Sequence, residues 1–208
     1  MALTSYANYL GTLPITNTSA AIIKDTSGTS KFQCSFDDFL ATLKDEEQIY
    51  RVMLPAYFGL LEEHARNLIE ELIIKKNISA SIFNNTGNTK NAIQTADQVA
   101  ESYIRNTSIE VWGKTILKTG GRDWADVDGG ILVLVEAFVV RNLIAHGLNN
   151  FNDMAINRLS GLNAGTLRVT TGQQIRLNKP VFQEYLVTIR AFARAIAGAV
   201  ENIPSQVA

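Results

Sequence analysis

The stretch VVRNLIAHG occupies residues 139–147 and closes a long apolar run. Within six positions the chain changes from aliphatic side chains to an arginine, an amide and a histidine, and a glycine follows. An apolar run that ends in this way predicts a buried helix, with Gly147 as its left-handed C-terminal cap. We therefore expect this helix to carry Arg141, Asn142 and His146 from the core to a surface.

Apolar residues recur at helical spacing on both sides of this motif helix. The helices predicted in this way span residues 36–44, 45–76, 92–106, 108–117 and 181–201. Pro55 lies inside the second of them and predicts either a kink or a junction between two helices. Asp126 or Asp128 is the expected N-cap of the motif helix.

One segment departs from the helical pattern. Residues 166–170 and 173–177 alternate apolar and polar side chains around Thr171-Gly172, which predicts a small β-hairpin between the motif helix and the last helix. The predicted fold class is therefore all-α, a helical bundle with one small hairpin. We expect an N-terminal extension at 1–35, the helical domain at 36–203 and a C-terminal tail at 204–208.

Composition limits the classes of function. A net charge of -1 argues against a protein that holds nucleic acid by its overall charge, although a local basic cleft is compatible with it. The only cysteine, Cys34, fits a reducing compartment, and residues 1–10 lack the pattern of a signal peptide. The apolar run before the motif is about half as long as a membrane span needs. We expect a cytoplasmic protein with no membrane partner.

The residue types of the motif suit the cleavage of RNA by internal transfer. In that reaction the ribose 2′-hydroxyl attacks the neighbouring phosphodiester, which requires a proton acceptor, a proton donor and positive charge near the phosphate. Histidine and arginine supply these groups without a metal or another cofactor. Asn142 and His146 share one helix face, whereas Arg141 and His146 diverge by about 140°. Both reach one substrate only if the helix end unwinds or a second subunit completes the site.

The sequence RNLIAHG at residues 141–147 resembles the signature of the HEPN superfamily, an arginine, four residues and a histidine. The polar residue after the arginine and the small residue after the histidine also match. The helical order is similar too, with a long helix that contains EEHARNLIEEL at 62–72 and a closing helix after the motif. The likeness covers residues 36–203 and is greatest to ribonuclease-type HEPN domains of prokaryotes.

This resemblance implies a metal-independent endoribonuclease that leaves a 2′,3′-cyclic phosphate and acts as a homodimer, with two motifs facing each other. His146 would transfer protons, Arg141 would stabilise the phosphate and Asn142 would orient one of them. RNA would be the substrate, and an antitoxin or a defence-system protein a further partner, because such proteins act as toxins or in antiviral defence. HEPN toxins controlled by a nucleotidyltransferase usually carry a tyrosine where this chain has Leu148, which puts that mode of control in doubt.

Simpler interpretations of the same motif stand beside this one. His146 could cap its helix, and Arg141 could form an ion pair with Glu136. Some HEPN domains bind RNA, nucleotides or proteins without cutting. A non-catalytic interaction module is therefore the alternative function.

Other charged residues carry weaker signals. Lys114, Lys118 and Arg122 can form a basic strip that binds RNA and leads to the motif, although an ordinary charged face explains them as well. His64 and Arg66 are more typical of a solvated or ion-paired face of a helix than of a second catalytic pair. Two histidines and one cysteine far apart in sequence do not predict a zinc site. The remaining candidates, which helix capping explains, are Asp123, Asp126 and Asp128.

Overall fold

The computed structural model describes residues 21–24, 31–34, 45–83 and 95–205. Strands β1 (Ala21–Lys24) and β2 (Lys31–Cys34) form an antiparallel pair in which Ala21 lies opposite Cys34. Most of the rest of the described chain is helical, with loops between the helices. Its α-helices are α1 (Glu46–Ile74), α2 (Ala96–Asn106), α3 (Ile109–Thr119), α4 (Gly130–Ala145), α5 (Asp153–Ser160) and α6 (Lys179–Glu201). The all-α class is thus confirmed for these residues, and the predicted helix at 36–44 lies outside them.

Helix α1 starts directly after a capping residue, Asp45. The side chain of Asp45 accepts a hydrogen bond from the backbone N–H of Glu47 at 3.0 Å, and Glu46 and Glu47 suit the positive end of the helix dipole. The helix then continues through Pro55 to Ile74. The expected junction between two helices at Pro55 is therefore wrong, because buried side chains before and after the proline pack on one continuous core.

Helices α1 and α6 run side by side in the same direction. Near their starts the rings of Tyr50 and Phe182 stack with centroids 4.4 Å apart. Near their ends the buried side chain of Lys76 donates to the backbone oxygen of Ile203 at 2.5 Å. The motif helix α4 packs against both. The ring of Phe138 meets Phe58 of α1 at 5.3 Å between centroids, and the hydroxyl of Tyr185 on α6 donates to Glu136 of α4 at 2.6 Å. These contacts fix the position of the motif.

Small residues bring α3 close to α6. A Cβ atom on Gly120 would lie 2.1 Å from the backbone oxygen of Ala199, so only glycine fits there. The ring of Phe192 packs between two tryptophans, with centroid distances of 5.5 Å to Trp112 and 5.1 Å to Trp124. The alanine-rich end of α6 therefore serves at least partly as core, with Ala195 and Ala199 both buried.

The start of α4 differs from the prediction. Its N-cap is Gly129, which has φ +85° and no capping side chain. Asp126 instead accepts a hydrogen bond from the backbone N–H of Asp123 at 2.8 Å, within the short 3-10 turn Trp124–Asp126. Gly129 is required because a Cβ atom would lie 2.7 Å from the hydroxyl of buried Thr188, where α4 meets α6.

The predicted hairpin at 166–170 and 173–177 does not form. The backbone of the second segment pairs with the chain just after α4, where Ile175 N–H donates to the oxygen of Asn149 at 2.8 Å. Phe151 N–H donates to the oxygen of Gln173 at 2.9 Å. This pairing is favoured because it buries Phe151 and Ile175 in the core.

A carboxylate on α4 is buried where this loop crosses the helix. Glu136 is 4% exposed and accepts hydrogen bonds from the hydroxyl of Tyr185 at 2.6 Å and from the guanidinium of Arg168 at 2.9 Å. Burial raises the pKa of Tyr185, and the charge of Glu136 adds to the effect, so the phenol stays a neutral donor. The hydrogen bonds from Arg168 to Glu136 likewise raise the pKa of Arg168. The network holds the loop on the motif helix.

Candidate functional site

The end of α4 forms a left-handed cap around Gly147, as predicted. His146 is the C-cap residue and Gly147 has φ +71°. Gly147 N–H donates to the oxygen of Ile144 at 2.9 Å, and Leu148 N–H donates to the oxygen of Leu143 at 2.8 Å. These two bonds are those of a Schellman motif, which ends a helix sharply. The turn leaves the imidazole of His146 exposed at the tip of the helix.

We expect Gly147→Ala to lower the free energy of unfolding by about 1 kcal/mol, because a Cβ atom disfavours the left-handed conformation even where space is free. The space is free, since no atom lies within 4 Å of the added Cβ. Gly59→Ala is the matched control, because Gly59 lies inside α1 with equal space and ordinary helical φ. That change should stabilise the protein by about 0.5–1 kcal/mol. Urea denaturation measures both, and equal effects of the two variants would contradict the cap.

Arg141 is held on three sides. Its guanidinium donates to the side-chain oxygen of Asn142 at 2.8 Å and pairs with Glu62 of α1 at 3.5 Å. The guanidinium carbon also lies 5.4 Å from the ring centroid of Phe138, within cation–π range.

The interpretation that Arg141 pairs with Glu136 is wrong. Positions five apart in a helix point about 140° away from each other, so one faces α1 and the other faces α6.

Arg141 and His146 line different depressions of the surface. Arg141 and Phe138 line one of about 540 Å³, whose other walls come from α1, α2 and α3. His146 lines another of about 460 Å³. Asn142 connects the two, because it accepts a hydrogen bond from Arg141 and also lines the second depression. One chain thus does not direct both side chains into a single depression.

The depression around His146 is mostly apolar. Its apolar walls are Val139, Leu143, Leu148, Met154 and Ala155. Two of these are unusually open for large apolar side chains, with Leu148 42% and Met154 79% exposed. Exposed apolar surface of this kind with polar side chains at its edge is typical of a region that a partner covers.

Helix α5 contributes a second arginine that the sequence did not predict. Arg158 lies with its guanidinium carbon 4.9 Å from the same Phe138 ring, and it lines the depression of His146. It forms a bidentate pair with Glu110 of α3, with Nε at 2.8 Å and Nη2 at 2.7 Å from the two carboxylate oxygens. The residue that could have revealed α5 in the sequence is Asn152. Its side chain caps the helix by accepting a hydrogen bond from the backbone N–H of Ala155 at 2.9 Å.

The pair between Glu110 and Arg158 gives the fold a pH dependence. Burial alone would raise the pKa of Glu110, but the hydrogen bonds from Arg158, from Ser108 and from the backbone together hold it below its ordinary value of 4.5. A carboxylate with a lowered folded pKa stabilises the fold above its unfolded pKa, and the contribution is lost as pH falls through the folded pKa.

We therefore expect Glu110→Gln to lower the free energy of unfolding by about 1–3 kcal/mol near neutral pH, because it removes a charge-assisted pair. The difference from the parent should shrink when urea denaturation is repeated at a pH well below 4.5, because the contribution of the pair is lost as pH falls through the lowered pKa of the folded carboxyl. A difference that stays constant between the two pH values would show that the charge of Glu110 is irrelevant.

The predicted basic strip follows α3 away from the motif. Near the start of α3, Glu110 pairs with Arg158. The other end of α3 packs against Ala199, near the end of α6. Lys114 and Lys118 are exposed, and the guanidinium of Arg122 lies beside Gly198. The structure does not bring Arg122 to Arg141 or His146, and an RNA-binding role for these three residues stays a prediction.

Of His64 and Arg66, the arginine is ion-paired. Arg66 pairs with Glu63 at 2.5 Å and with Asp97 at 3.0 Å, which agrees with an ion-paired helix face. His64 is half-buried on α1. In the part of the chain that the structure describes, no group of three His, Cys, Asp or Glu side chains is arranged to hold a metal ion.

No protein-family model, curated protein or solved structure matches this chain. The likeness to HEPN domains therefore rests on the residues and the helical order described above. Among the described residues, no helix combines the length and the apolar character needed to cross a lipid bilayer.

Proposed function

We propose that this chain is a metal-independent endoribonuclease that acts as a homodimer. The observation that carries the proposal is the end of α4, where one helix presents a fixed arginine and an exposed histidine. Asn142 accepts a hydrogen bond from the arginine and lines the same depression as the histidine. In this account Arg141 binds the phosphate, His146 moves protons and Asn142 holds the guanidinium of Arg141 in place. The resemblance to ribonuclease-type HEPN domains gives the same roles.

The reaction needs two proton transfers. A bond forms between the 2′-oxygen and phosphorus while the bond from phosphorus to the 5′-oxygen breaks, which leaves a 2′,3′-cyclic phosphate and a 5′-hydroxyl. A base takes the proton from the 2′-hydroxyl, and an acid gives one to the departing 5′-oxygen. Two copies of His146 would supply the base and the acid, while Arg141 offsets the negative charge that develops on the phosphate.

A second copy of the chain would complete the site. Within one chain the depressions of Arg141 and His146 are separate, and the second is bordered by exposed Leu148 and Met154. A symmetric dimer places the same patch of both subunits in contact. Pairing through this patch would cover the apolar rim and bring two His146 side chains to one cleft.

The test is cleavage of unstructured RNA by the purified protein in EDTA, with DNA of the same sequence as control. RNA should be cut and DNA should not, because DNA lacks the 2′-hydroxyl. Met154→Asp should give a folded monomer that no longer cuts. Ile74→Asp is the matched control, since Ile74 is 58% exposed at the far end of α1 and its change should leave dimer and activity intact. An active monomer would overturn the dimeric site.

A non-catalytic RNA-binding module is the second candidate. The pair between Arg141 and Glu62 counts against catalysis, because a carboxylate beside this arginine opposes the stabilisation of negative charge on a reacting phosphate. The distance of 3.5 Å is long for a charge-assisted hydrogen bond, which suggests that a phosphate can replace Glu62. RNA that is bound but never cut by the dimer would favour this second function.

The biological role that we propose is that of a toxin or an antiviral-defence effector. It rests on the resemblance alone. The proposal does not include control by a nucleotidyltransferase antitoxin, because Leu148 stands where a tyrosine is usual.

A further inference from the structure

Two arginines from different helices share the ring of Phe138. Their guanidinium carbons lie 5.4 Å and 4.9 Å from its centroid, for Arg141 and Arg158 respectively. Phe138 lines the depression of Arg141, and Arg158 lines the depression of His146. The ring and its two arginines thus form the border between the depressions, and positive charge faces both sides of that border.

Glu110 holds Arg158 in place without using all of its donors. Nε and Nη2 donate to the two carboxylate oxygens, and no hydrogen bond from Nη1 is found among the described residues. The side chain remains 29% exposed. A guanidinium fixed by a ring and a bidentate carboxylate loses little further conformational freedom when its last amino group binds a phosphate.

We propose that Arg158 is a second phosphate-binding residue, which holds a backbone phosphate of RNA beside the one that His146 and Arg141 act on. The inference rests on the proposed function in naming RNA as the ligand. The depression of His146 contains no other side chain with a permanent positive charge among its described walls. Arg158 would therefore set how the strand lies against the imidazole, as a binding residue and not as an acid or base.

A purely structural role is the competing explanation, because the same ion pair fastens α5 to α3. The two explanations differ in what they predict for the two partners of the pair. Arg158→Gln and Glu110→Gln break the same fastening, but the first removes a positive charge and the second removes a negative one. Glu110→Gln is thus the matched control.

The experiment measures RNA affinity in the His146→Ala background, where the strand is not cut, over a range of salt concentrations. Arg158→Gln should weaken binding about tenfold at low salt, as expected for one charge-assisted contact. It should also reduce the slope of log affinity against log salt by about 0.7, the value for one phosphate contact on a single strand. Glu110→Gln should keep the parent slope, because Arg158 retains its charge in that variant.

Each outcome of this experiment either supports or overturns the role of Arg158. An equal fall of the salt slope in both variants, or an unchanged salt slope in Arg158→Gln, would overturn the inference and show that the ion pair only joins α5 to α3. If the parent cuts RNA and the slope is unchanged, this inference fails while the proposed function stands. If the parent never cuts RNA but the salt slope of Arg158→Gln falls as expected, the proposed function fails while Arg158 is still shown to bind a phosphate. A protein that neither binds nor cuts RNA overturns both.

Discussion

Replacement of His146 by alanine is expected to lower the rate of RNA cleavage by about a thousandfold, because the site loses the group that moves both protons. The fold should be unaffected. The imidazole is exposed at the C-cap of α4, and no hydrogen bond from its side chain is found in the described part of the chain. The measurement is the single-turnover rate with dimer in excess over RNA, accompanied by the urea midpoint of each variant.

The chain provides its own control for this prediction. His64 is the other histidine, half-buried on α1, and it lines neither of the two depressions of the motif. His64→Ala should cut at close to the parent rate. A His146→Ala protein that cuts as fast as the parent would show that the proposed mechanism is wrong.

Replacement of Arg168 by alanine is expected to lower the free energy of unfolding by about 3 kcal/mol, the largest stability effect that we predict. The reason is Glu136, whose side chain is 5% exposed and would keep only the hydroxyl of Tyr185 as a partner. The value lies at the low end for a broken buried pair because Arg168 itself is 42% exposed, so water can reach the space it leaves. Chemical denaturation near neutral pH measures the loss.

Two controls separate the buried charge from other effects of the change. Arg176→Ala removes an exposed arginine from the same loop and should change stability by less than about 0.5 kcal/mol. The double variant Glu136→Leu with Arg168→Leu should recover most of the loss, because no unpaired charge remains in the core. If the double variant is less stable than Arg168→Ala, the buried carboxylate is not the cause.

The parts of the fold that sequence predicted well depend on local signals. The end of α4 follows from one glycine after an apolar run, and α1 follows from apolar residues at helical spacing. Capping and helical periodicity act over a few residues, so they can be recognised without knowledge of the tertiary structure. The eight-residue helix α5 was missed because so short a helix shows little periodicity.

The errors in the predicted fold came from competition between distant segments. The residues around Thr171-Gly172 have a hairpin pattern, yet their backbone forms hydrogen bonds with residues 149–151. Arg168, in the first half of the expected hairpin, forms an ion pair with Glu136 instead. The choice between these partners depends on which pairing buries more apolar surface and satisfies the buried carboxylate. No local pattern encodes that choice.

The candidate site was predictable only as a set of residue types at a fixed spacing. Helix geometry correctly predicted that Arg141 and His146 point in different directions, and the structure places them in separate depressions. It could not identify Glu62 as the partner of Arg141, or Arg158 as the second arginine at Phe138. Those contacts join helices that are far apart in sequence.

The most direct test of the central claim is the chemistry of the ends left on cleaved RNA. Purified dimer in EDTA should produce fragments that end in a 2′,3′-cyclic phosphate, paired with fragments that begin with a 5′-hydroxyl. Fragments with a 3′-hydroxyl and a 5′-phosphate, or a complete absence of cleavage, would contradict the claim that this helix end carries out attack by the 2′-hydroxyl.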